Sequence, residues 1–351
     1  MPVKTYRGVQ GLRFVSAVLV VAVHACRWFN RDAGAGTVAP EGELLGDLCV
    51  ATFFLISGFV VVHVVASGHE PDWKTFALRR AIRILPLAWA MTGIKIVAAV
   101  VAADAMFDGG LTPTRILASF LLVPSRDPEG AVRLLWGVEW TLVFEMAFYV
   151  LVTIAIAFRL DPVALATPVI VVVSALSIWR PDGGSVLWFY ADPIVLFLAA
   201  GMWIARATRT GSPWSTSAAC LAGALIYSLV EALRGGSAAA PAGLVFAAVT
   251  GVFALVVIAE PYAGELVPRW LVLGGDTAFA LYLTHPLVAQ VLPRLLGRLG
   301  ATEVPWFPVV LASIAVSIGL GWFVHQRIDM PVGRALRRRL VRAGNRPVAT
   351  R

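Results

Sequence analysis

The sequence predicts an all-α integral membrane protein, a polytopic bundle of about ten transmembrane helices with both termini in the cytoplasm. Hydrophobic residues make up 59% of the 351 residues and charged residues only 14%, against roughly 25% charged in soluble proteins. The mean hydropathy is +0.80, and apolar runs close to the thickness of a bilayer recur along the whole chain. These observations exclude a soluble globular domain.

The membrane-spanning segments follow from length and apolarity. A hydrocarbon core about 30 Å thick requires about 20 mainly apolar residues per helix. Ten segments meet this requirement: residues 11–27, 44–66, 84–103, 134–158, 162–179, 187–205, 215–233, 241–259, 271–292 and 307–327. A further apolar run at 116–123 is too short to cross, and we expect it to lie in the interface or to re-enter.

The basic residues predict the orientation of these spans. Short cytoplasmic loops collect Lys and Arg, and with an inside amino terminus the predicted inner loops carry twice as many basic residues as the outer ones. The net charge of +8 is therefore explained by membrane orientation, and no nucleic-acid partner is expected. We divide the chain into a transmembrane domain at 1–330 and a basic cytoplasmic tail at 331–351, which we expect to bind anionic lipid headgroups.

Ionisable side chains inside predicted spans are costly, so each is a functional candidate. Arg13 and His24 lie eleven residues apart in the first span, about 20° beyond three full turns of an α-helix. They therefore face the same way, roughly 16 Å apart along the helix axis. The alternative is that Arg13 extends to the inner interface and His24 simply sits at the outer end of the span.

A second cluster lies at the cytoplasmic start of the third span. Arg80 and Arg83 are three residues apart and Arg79 and Arg83 four apart, so their side chains share one helix face just before Pro86. Paired guanidinium groups bind phosphate in a bidentate geometry. The pattern predicts a phosphate site, although sorting of basic residues to the inside also places arginines here.

Two further spans carry polar groups in their interior. Glu145 lies about eleven residues into the fourth span without a neutralising partner in that span, and Glu139 nearer its outer edge is compatible with a merely interfacial position. In the ninth span, His285 lies at the centre and directly precedes Pro286, which frees a backbone carbonyl and is tolerated where a helix lines a cavity. The alternative for His285 is a hydrogen bond in helix packing.

Five motifs that contain these residues occur in order along nearly the whole chain. They are RGVQGLRFVSAVLVVAVHA, FFLISGF, LRRAIRILPLAW, WTLVFEMAFY and ALYLTHPLV. They resemble the successive signatures of the membrane-bound acyltransferase 3 family. The resemblance implies about ten membrane helices and transfer of an acyl group, commonly acetyl, from acyl-CoA to a hydroxyl of a carbohydrate, a lipid-linked glycan or a glycosylated small molecule.

The resemblance also assigns residues. The arginine and histidine of the family's first span fall on Arg13 and His24, its Arg-x-x-Arg motif on Arg80 and Arg83, and its intramembrane glutamate on Glu145. Two positions depart from the family pattern: Thr141 replaces the more usual serine after tryptophan, and Met146 replaces a second acidic residue. These departures leave the match at Glu145 intact but put a role for its neighbours in doubt.

A physical interpretation of the same residues agrees with the resemblance. Acyl-CoA carries several phosphate charges and is made in the cytoplasm, so Arg13, Arg80 and Arg83 are predicted to bind it at the inner mouth. The thioester would lie deeper, toward the predicted catalytic residues His24, Glu145 and His285. Imidazole is suited to taking a hydroxyl proton, and a carboxylate can orient it. Whether His24 acts as a general base or accepts the acyl group covalently stays open.

Two other classes of protein compete with the enzyme. A proton-coupled transporter also uses intramembrane His, Glu and Arg, but the paired repeats that many transporters show are not evident. A structural subunit leaves Glu145 and Arg13 unexplained. We expect no metal and no bound cofactor, acyl-CoA being a co-substrate, and the Arg- and Ala-rich composition is compatible with a bacterial cytoplasmic membrane.

Overall fold

Helices account for the architecture. The computed structural model describes residues 6–32, 40–68, 70, 72–101, 110–181, 183–211, 213–235, 239–298 and 305–341. Within these ranges the only β-type pairing is one isolated antiparallel bridge between Arg126 and Val132. The predicted all-α class is confirmed.

The described residues form twelve α-helices. In chain order these are α1 (Arg7–Asp32), α2 (Pro40–Ala66), α3 (Trp73–Val101), α4 (Pro113–Leu121), α5 (Trp140–Ala157), α6 (Pro162–Leu176), α7 (Leu196–Thr210), α8 (Pro213–Leu233), α9 (Ala239–Ala263), α10 (Arg269–Arg298), α11 (Trp306–Val324) and α12 (Met330–Leu336). Wide π-helical turns at His325–Asp329 and Arg337–Val341 flank α12 and extend α11. The helical part of the predicted tail thus covers 331–341, and its remainder lies outside the described residues.

Nine helices of the described chain are long and apolar enough to cross a membrane, and they coincide with nine of the ten predicted spans. The protein is therefore a multi-pass integral membrane protein. The short run at 116–123 falls largely in α4, which has nine residues and is too short to cross, as expected. Its last turn ends at Leu122, whose left-handed backbone closes the helix.

The remaining predicted span, the sixth at 187–205, differs from the expectation of one continuous helix. Two short 3₁₀ helices, Val186–Tyr190 and Pro193–Val195, precede α7. Pro193 has no amide proton and disfavours helical backbone at the residue before it, so the α-helix begins only at Leu196. With 15 residues, α7 is shorter than a bilayer crossing usually requires.

Although α7 is short, it is packed against longer helices. Most of its side chains are buried, and it contacts both α8 and α9. A two-residue connection joins α7 to α8, and the rings of Phe197 and Tyr227 meet 5.8 Å apart between the two helices. A helical hairpin therefore occupies the region in which the sequence predicts the sixth and seventh spans.

The chain folds into two compact units. Unit 1 comprises Val62–Val195 and Gln326–Arg351, and unit 2 comprises Pro2–Val61 and Leu196–His325. In unit 1, α3 runs antiparallel to α5, because Arg80 lies beside Tyr149 while Thr92, further along α3, lies beside Glu139. The helical segment at 330–341 also packs against α3.

Three helices form the centre of unit 2. Small and branched side chains of α1, α10 and α11 interlock in two clusters, one around Phe14 and Leu281 and one around Ala25, Ala289 and Val310. The contacts between α1 and α10 advance in the same direction along both helices, from Gln10 with Asp276 to His24 with His285. These two helices are therefore parallel.

A glycine lets α1 and α10 approach closely. A Cβ atom at Gly275 would lie 2.3 Å from the carbonyl oxygen of Gln10, so Gly275→Ala must push the two helices apart. We expect a loss of about 1–3 kcal/mol in stability, seen as a lower unfolding temperature in detergent. Gly319→Ala in α11 is the control, since its Cβ would meet nothing within 4 Å; an equal loss in both variants would contradict the expectation.

Candidate active site

Two histidines from distant parts of the sequence meet in unit 2. His24 belongs to α1 and His285 to α10, and Nδ1 of His24 lies 2.7 Å from Nε2 of His285. The ring centres are 4.9 Å apart, with an angle of 32° between the ring planes. One of the two facing nitrogens carries the proton of this hydrogen bond, so the protonation states of the two rings are coupled.

The two histidines differ in exposure. His285 is 0% exposed, and its Nδ1 lies 2.7 Å from the carbonyl oxygen of Tyr282, nearly one turn earlier in α10. His24 is partly exposed. A substrate would therefore meet the pair at the His24 ring, with His285 behind it.

Arg13 lies on the same continuous helix as His24. Its Nη1 donates to Oε1 of Gln10 at 3.3 Å, and the Gln10 amide donates to Oδ1 of Asp276 at 3.0 Å. The side chain of Arg13 is partly exposed. Because α1 is unbroken, the predicted separation of roughly 16 Å along the axis between Arg13 and His24 applies.

The start of α1 is fixed by a carboxylate that the sequence analysis did not single out. The two oxygens of Glu260 accept from the backbone amides of Arg7 at 2.6 Å and Gly8 at 2.9 Å. These amides lack acceptors within the helix, and a negative charge suits the positive end of the helix dipole. The signal in the sequence was an acidic residue directly after the eighth predicted span.

In unit 1, Arg80 is engaged by a second residue that the sequence analysis missed. Its Nη2 donates to Oε1 of Glu70 at 2.8 Å, and both side chains are buried. The guanidinium also lies 5.3 Å from the ring centre of Phe76 and 5.8 Å from that of Tyr149. Arg80 is thus held in a fixed position by a carboxylate and two aromatic rings.

The network continues to Glu145. The hydroxyl of Tyr149 donates to Oε1 of Glu145 at 2.5 Å, one helical turn earlier in α5. Glu70, Arg80, Tyr149 and Glu145 therefore form a path of successive contacts in unit 1: an ion pair, a cation–ring contact and a hydrogen bond. Glu145 itself is partly exposed, so the path leads from a buried ion pair to an accessible carboxylate.

The other two arginines of the cluster differ from Arg80. Arg83 is exposed, whereas Nη1 of Arg79 lies 3.7 Å from Oε1 of Glu70. Just before this cluster, Asp72 caps the start of α3 by accepting from the amides of Lys74 and Thr75. The hydrogen bonds from Thr75 lower the pKa of the Asp72 carboxyl below its usual value.

Glu139 is buried inside the protein. It is 0% exposed, and the hydroxyl of Thr92 lies 3.1 Å from each of its carboxylate oxygens. Glu139 belongs to a 3₁₀ turn, Gly137–Glu139, because α5 begins only at Trp140. Glu139 therefore precedes the α-helix that carries Glu145.

The predicted site residues fall into two groups. Unit 2 contains His24, His285 and Arg13, and unit 1 contains Glu145, Arg80 and Arg83. The first group brings two imidazoles into direct contact. In the second, Arg80 lies beside the ring of Tyr149, whose hydroxyl donates to Glu145. Among the residues that the structure describes, no three metal-binding side chains come together.

Two curated proteins are similar to this chain. The chain is 29% identical to "Acyltransferase MdmB" from Streptomyces mycarofaciens, over 100% of this chain and 96% of that protein. It is 28% identical to "Exopolysaccharide production protein ExoZ" from Rhizobium meliloti (strain 1021), over 86% of this chain and 93% of that protein. No solved structure matches the chain.

The family comparison covers nearly all of the structure described above. The profile of the Acyl_transf_3 family, described as an acyltransferase domain, matches residues 6–326. This range includes all six predicted site residues as well as Glu70, Glu139 and Glu260. The chain therefore belongs to the Acyl_transf_3 family, and the protein is a membrane acyltransferase.

Proposed function

We propose that this protein is an O-acyltransferase that moves an acyl group, in the simplest case acetyl, from acyl-CoA to a hydroxyl of a carbohydrate-containing acceptor. The observation that carries the proposal is the His24–His285 pair in a chain of an acyltransferase family. The same membership favours an enzyme over a proton-coupled transporter. The name of the ExoZ relative, which refers to exopolysaccharide production, supports an acceptor such as a glycan, a glycolipid or a glycosylated natural product.

The proposed reaction forms a bond between the acceptor oxygen and the acyl carbon and breaks the thioester carbon–sulfur bond. His24 takes the hydroxyl proton while the oxygen attacks the carbonyl carbon. The tetrahedral intermediate then expels the sulfur, and His24 returns the proton to the thiolate of CoA. In an alternative order, His24 first accepts the acyl group and passes it to the acceptor; both orders require an unprotonated nitrogen on His24.

In this proposal the three arginines have different roles toward the donor. Arg83 is exposed and offers its planar guanidinium to the phosphates of acyl-CoA. Arg80 is held by Glu70 and adds a positive charge at a fixed position on the same helix. Arg13 adds charge at the start of α1 in unit 2. The catalytic role expected for Glu145, in unit 1, stays a prediction.

Purified protein in detergent tests the reaction. With labelled acetyl-CoA and a set of glycan and glycolipid acceptors, we expect protein-dependent release of the CoA thiol and movement of label to an acceptor. A matched preparation of the His24→Ala variant is the control for contaminating thioesterases. Folded protein that releases no CoA from acetyl-CoA or from longer acyl-CoA would contradict the proposal.

The proposed location is a bacterial cytoplasmic membrane, with both termini and the donor arginines on the cytoplasmic side. The bacterial sources of both relatives support this location. The nucleotide of acyl-CoA is too large and polar to enter the bundle, so only its pantetheine arm extends toward His24 from the cytoplasmic side. The acceptor reaches His24 from the outer side or laterally from the lipid.

Sealed vesicles of known orientation test this arrangement. Acyl-CoA supplied at the cytoplasmic face is expected to support turnover, and acyl-CoA supplied only at the outer face is not. A membrane-impermeant thiol reagent on each side reports where CoA is released. Equal activity from either face of vesicles shown to be sealed would contradict both the orientation and the assignment of the arginines to the donor.

A further inference from the structure

The carbonyl of Tyr282 in α10 lacks the amide that a regular helix supplies. In an α-helix the carbonyl of residue i accepts from the amide of residue i+4. Four residues after Tyr282 stands Pro286, whose nitrogen carries no hydrogen. The sequence Tyr-Leu-Thr-His-Pro therefore leaves an acceptor within α10 and places a histidine next to the proline that creates it.

The side chain of His285 uses this acceptor. Its Nδ1 lies 2.7 Å from the Tyr282 oxygen. A carbonyl oxygen only accepts hydrogen bonds, so Nδ1 of His285 carries the proton. A neutral imidazole has one N–H, and Nε2 of the fully buried His285 therefore presents a lone pair.

The protonation of His285 determines that of His24, because Nε2 of His285 lies 2.7 Å from Nδ1 of His24. Since Nε2 of His285 accepts, Nδ1 of His24 must donate. The remaining nitrogen of His24, Nε2, then has no proton. His24 is the partly exposed member of the pair, so the unprotonated nitrogen belongs to the ring that a substrate can meet.

We propose that Pro286, by withholding an amide from the Tyr282 carbonyl, fixes His285 and His24 as Nδ1–H tautomers and so makes Nε2 of His24 the reactive atom. This inference rests on the proposed function for its catalytic meaning, but the tautomers themselves do not depend on turnover. His285 and Pro286 are then positioning residues, and His24 is the catalytic residue. A histidine, not a carboxylate, orients the base.

The arrangement also accounts for the charge that forms during transfer. When Nε2 of His24 takes the acceptor proton, the Nδ1 proton of His24 can move along the bond to Nε2 of His285. His285 then holds two protons, with its Nδ1–H still on the Tyr282 carbonyl. When the CoA thiolate leaves, both shifts reverse and the thiolate receives one proton, so no net proton is gained or lost by the pair.

Nuclear magnetic resonance of the protein with ¹⁵N-labelled histidine tests the tautomers directly. The chain has five histidines, and single substitutions assign the His24 and His285 signals, with His325→Gln as a control away from the pair. At mildly alkaline pH we expect both residues to show a protonated Nδ1 and an unprotonated Nε2. A protonated Nε2 with an unprotonated Nδ1 at His24 would overturn the proposal.

Two proline variants test the role of Pro286. Pro286→Ala returns an amide to the Tyr282 carbonyl, so the Nδ1–H tautomer of His285 should lose population and His24 should follow. Pro293→Ala makes the same change elsewhere in α10 and should leave both tautomers as in the wild type. Identical histidine spectra for Pro286→Ala, Pro293→Ala and the wild type would remove Pro286 from the mechanism.

A pair of substitutions at His285 connects the tautomer to the rate. The side-chain oxygen of Gln can accept the Nδ1–H of His24, whereas Met of similar length is at best a weak acceptor. We expect His285→Gln to keep at least tenfold more kcat than His285→Met at equal folded protein, with little difference in KM for the donor. Equal kcat values would contradict a positioning role, while correct tautomers in an inactive wild type would overturn only the proposed function.

Discussion

Replacing His24 by Ala is expected to lower the rate of acyl transfer by about 10²–10⁴-fold, the usual contribution of a general acid–base group. The variant removes the partly exposed ring of the His24–His285 pair and with it the nitrogen that faces the substrate. Insertion into the membrane should be unaffected, because Ala is less costly in an apolar helix than His. The measurement is CoA release and acyl transfer per folded protein in detergent.

The interpretation of that loss depends on separating catalysis from folding. His24→Ala leaves the buried Nε2 of His285 without its partner, at a cost of about 1–3 kcal/mol, so its unfolding temperature is measured beside that of the wild type. His325→Ala, at the end of α11 in the same unit, serves as a matched histidine control and should keep full activity. More than a tenth of the wild-type rate in folded His24→Ala would exclude His24 from the chemistry.

Apolar runs were sufficient to predict most of the helices, because each span must satisfy its own backbone hydrogen bonds in lipid. The segment around Pro193 shows where hydropathy alone misleads. Its side chains are apolar enough for a span, but the proline delays the α-helix to Leu196. A hydropathy average over the segment does not detect this interruption of the α-helix. In the sequence, only the position of Pro193 indicates it.

Contacts between distant helices were beyond the reach of the sequence. The sequence correctly predicts that Arg13 and His24 lie on one continuous helix, α1. It does not indicate which other helix packs against them. His24 and His285 meet because glycine and alanine let α1 and α10 approach, and 261 residues separate the two histidines. The sequence does show that Pro286 frees a carbonyl, and the structure shows which side chain uses it.

The acidic partners were missed for a related reason. Glu70 lies between two predicted spans, where an acidic residue is ordinary. Its contact with Arg80 joins residues ten apart in the chain, a separation that no helical spacing predicts. Glu139 was described from the sequence only by its position near the edge of a span, whereas the structure buries it against Thr92 in a 3₁₀ turn. Local backbone geometry and burial, which single-residue patterns do not report, decide the environment of both carboxylates.

Arg80→Ala is expected to destabilise the protein strongly, by about 3–5 kcal/mol, because it leaves the buried carboxylate of Glu70 without its hydrogen-bonded partner. The side chain of Glu70 is only 3% exposed, so water cannot replace the guanidinium without rearrangement. The variant also removes the cation beside Phe76 and Tyr149. The unfolding temperature in detergent and the yield of monodisperse protein measure the effect.

Arg83→Ala is the matched control for this prediction, since it removes the same side chain from the same helix at an exposed position. It should unfold at nearly the wild-type temperature but raise the apparent KM for acyl-CoA, by a loss on the order of 1.5–3 kcal/mol for a charged phosphate contact. A Glu70→Ala/Arg80→Ala double variant should recover part of the stability lost in Arg80→Ala, because no unpaired buried charge remains. If Arg80→Ala is as stable as Arg83→Ala, or if the double variant recovers nothing, the buried Glu70–Arg80 pair does not supply the expected stability.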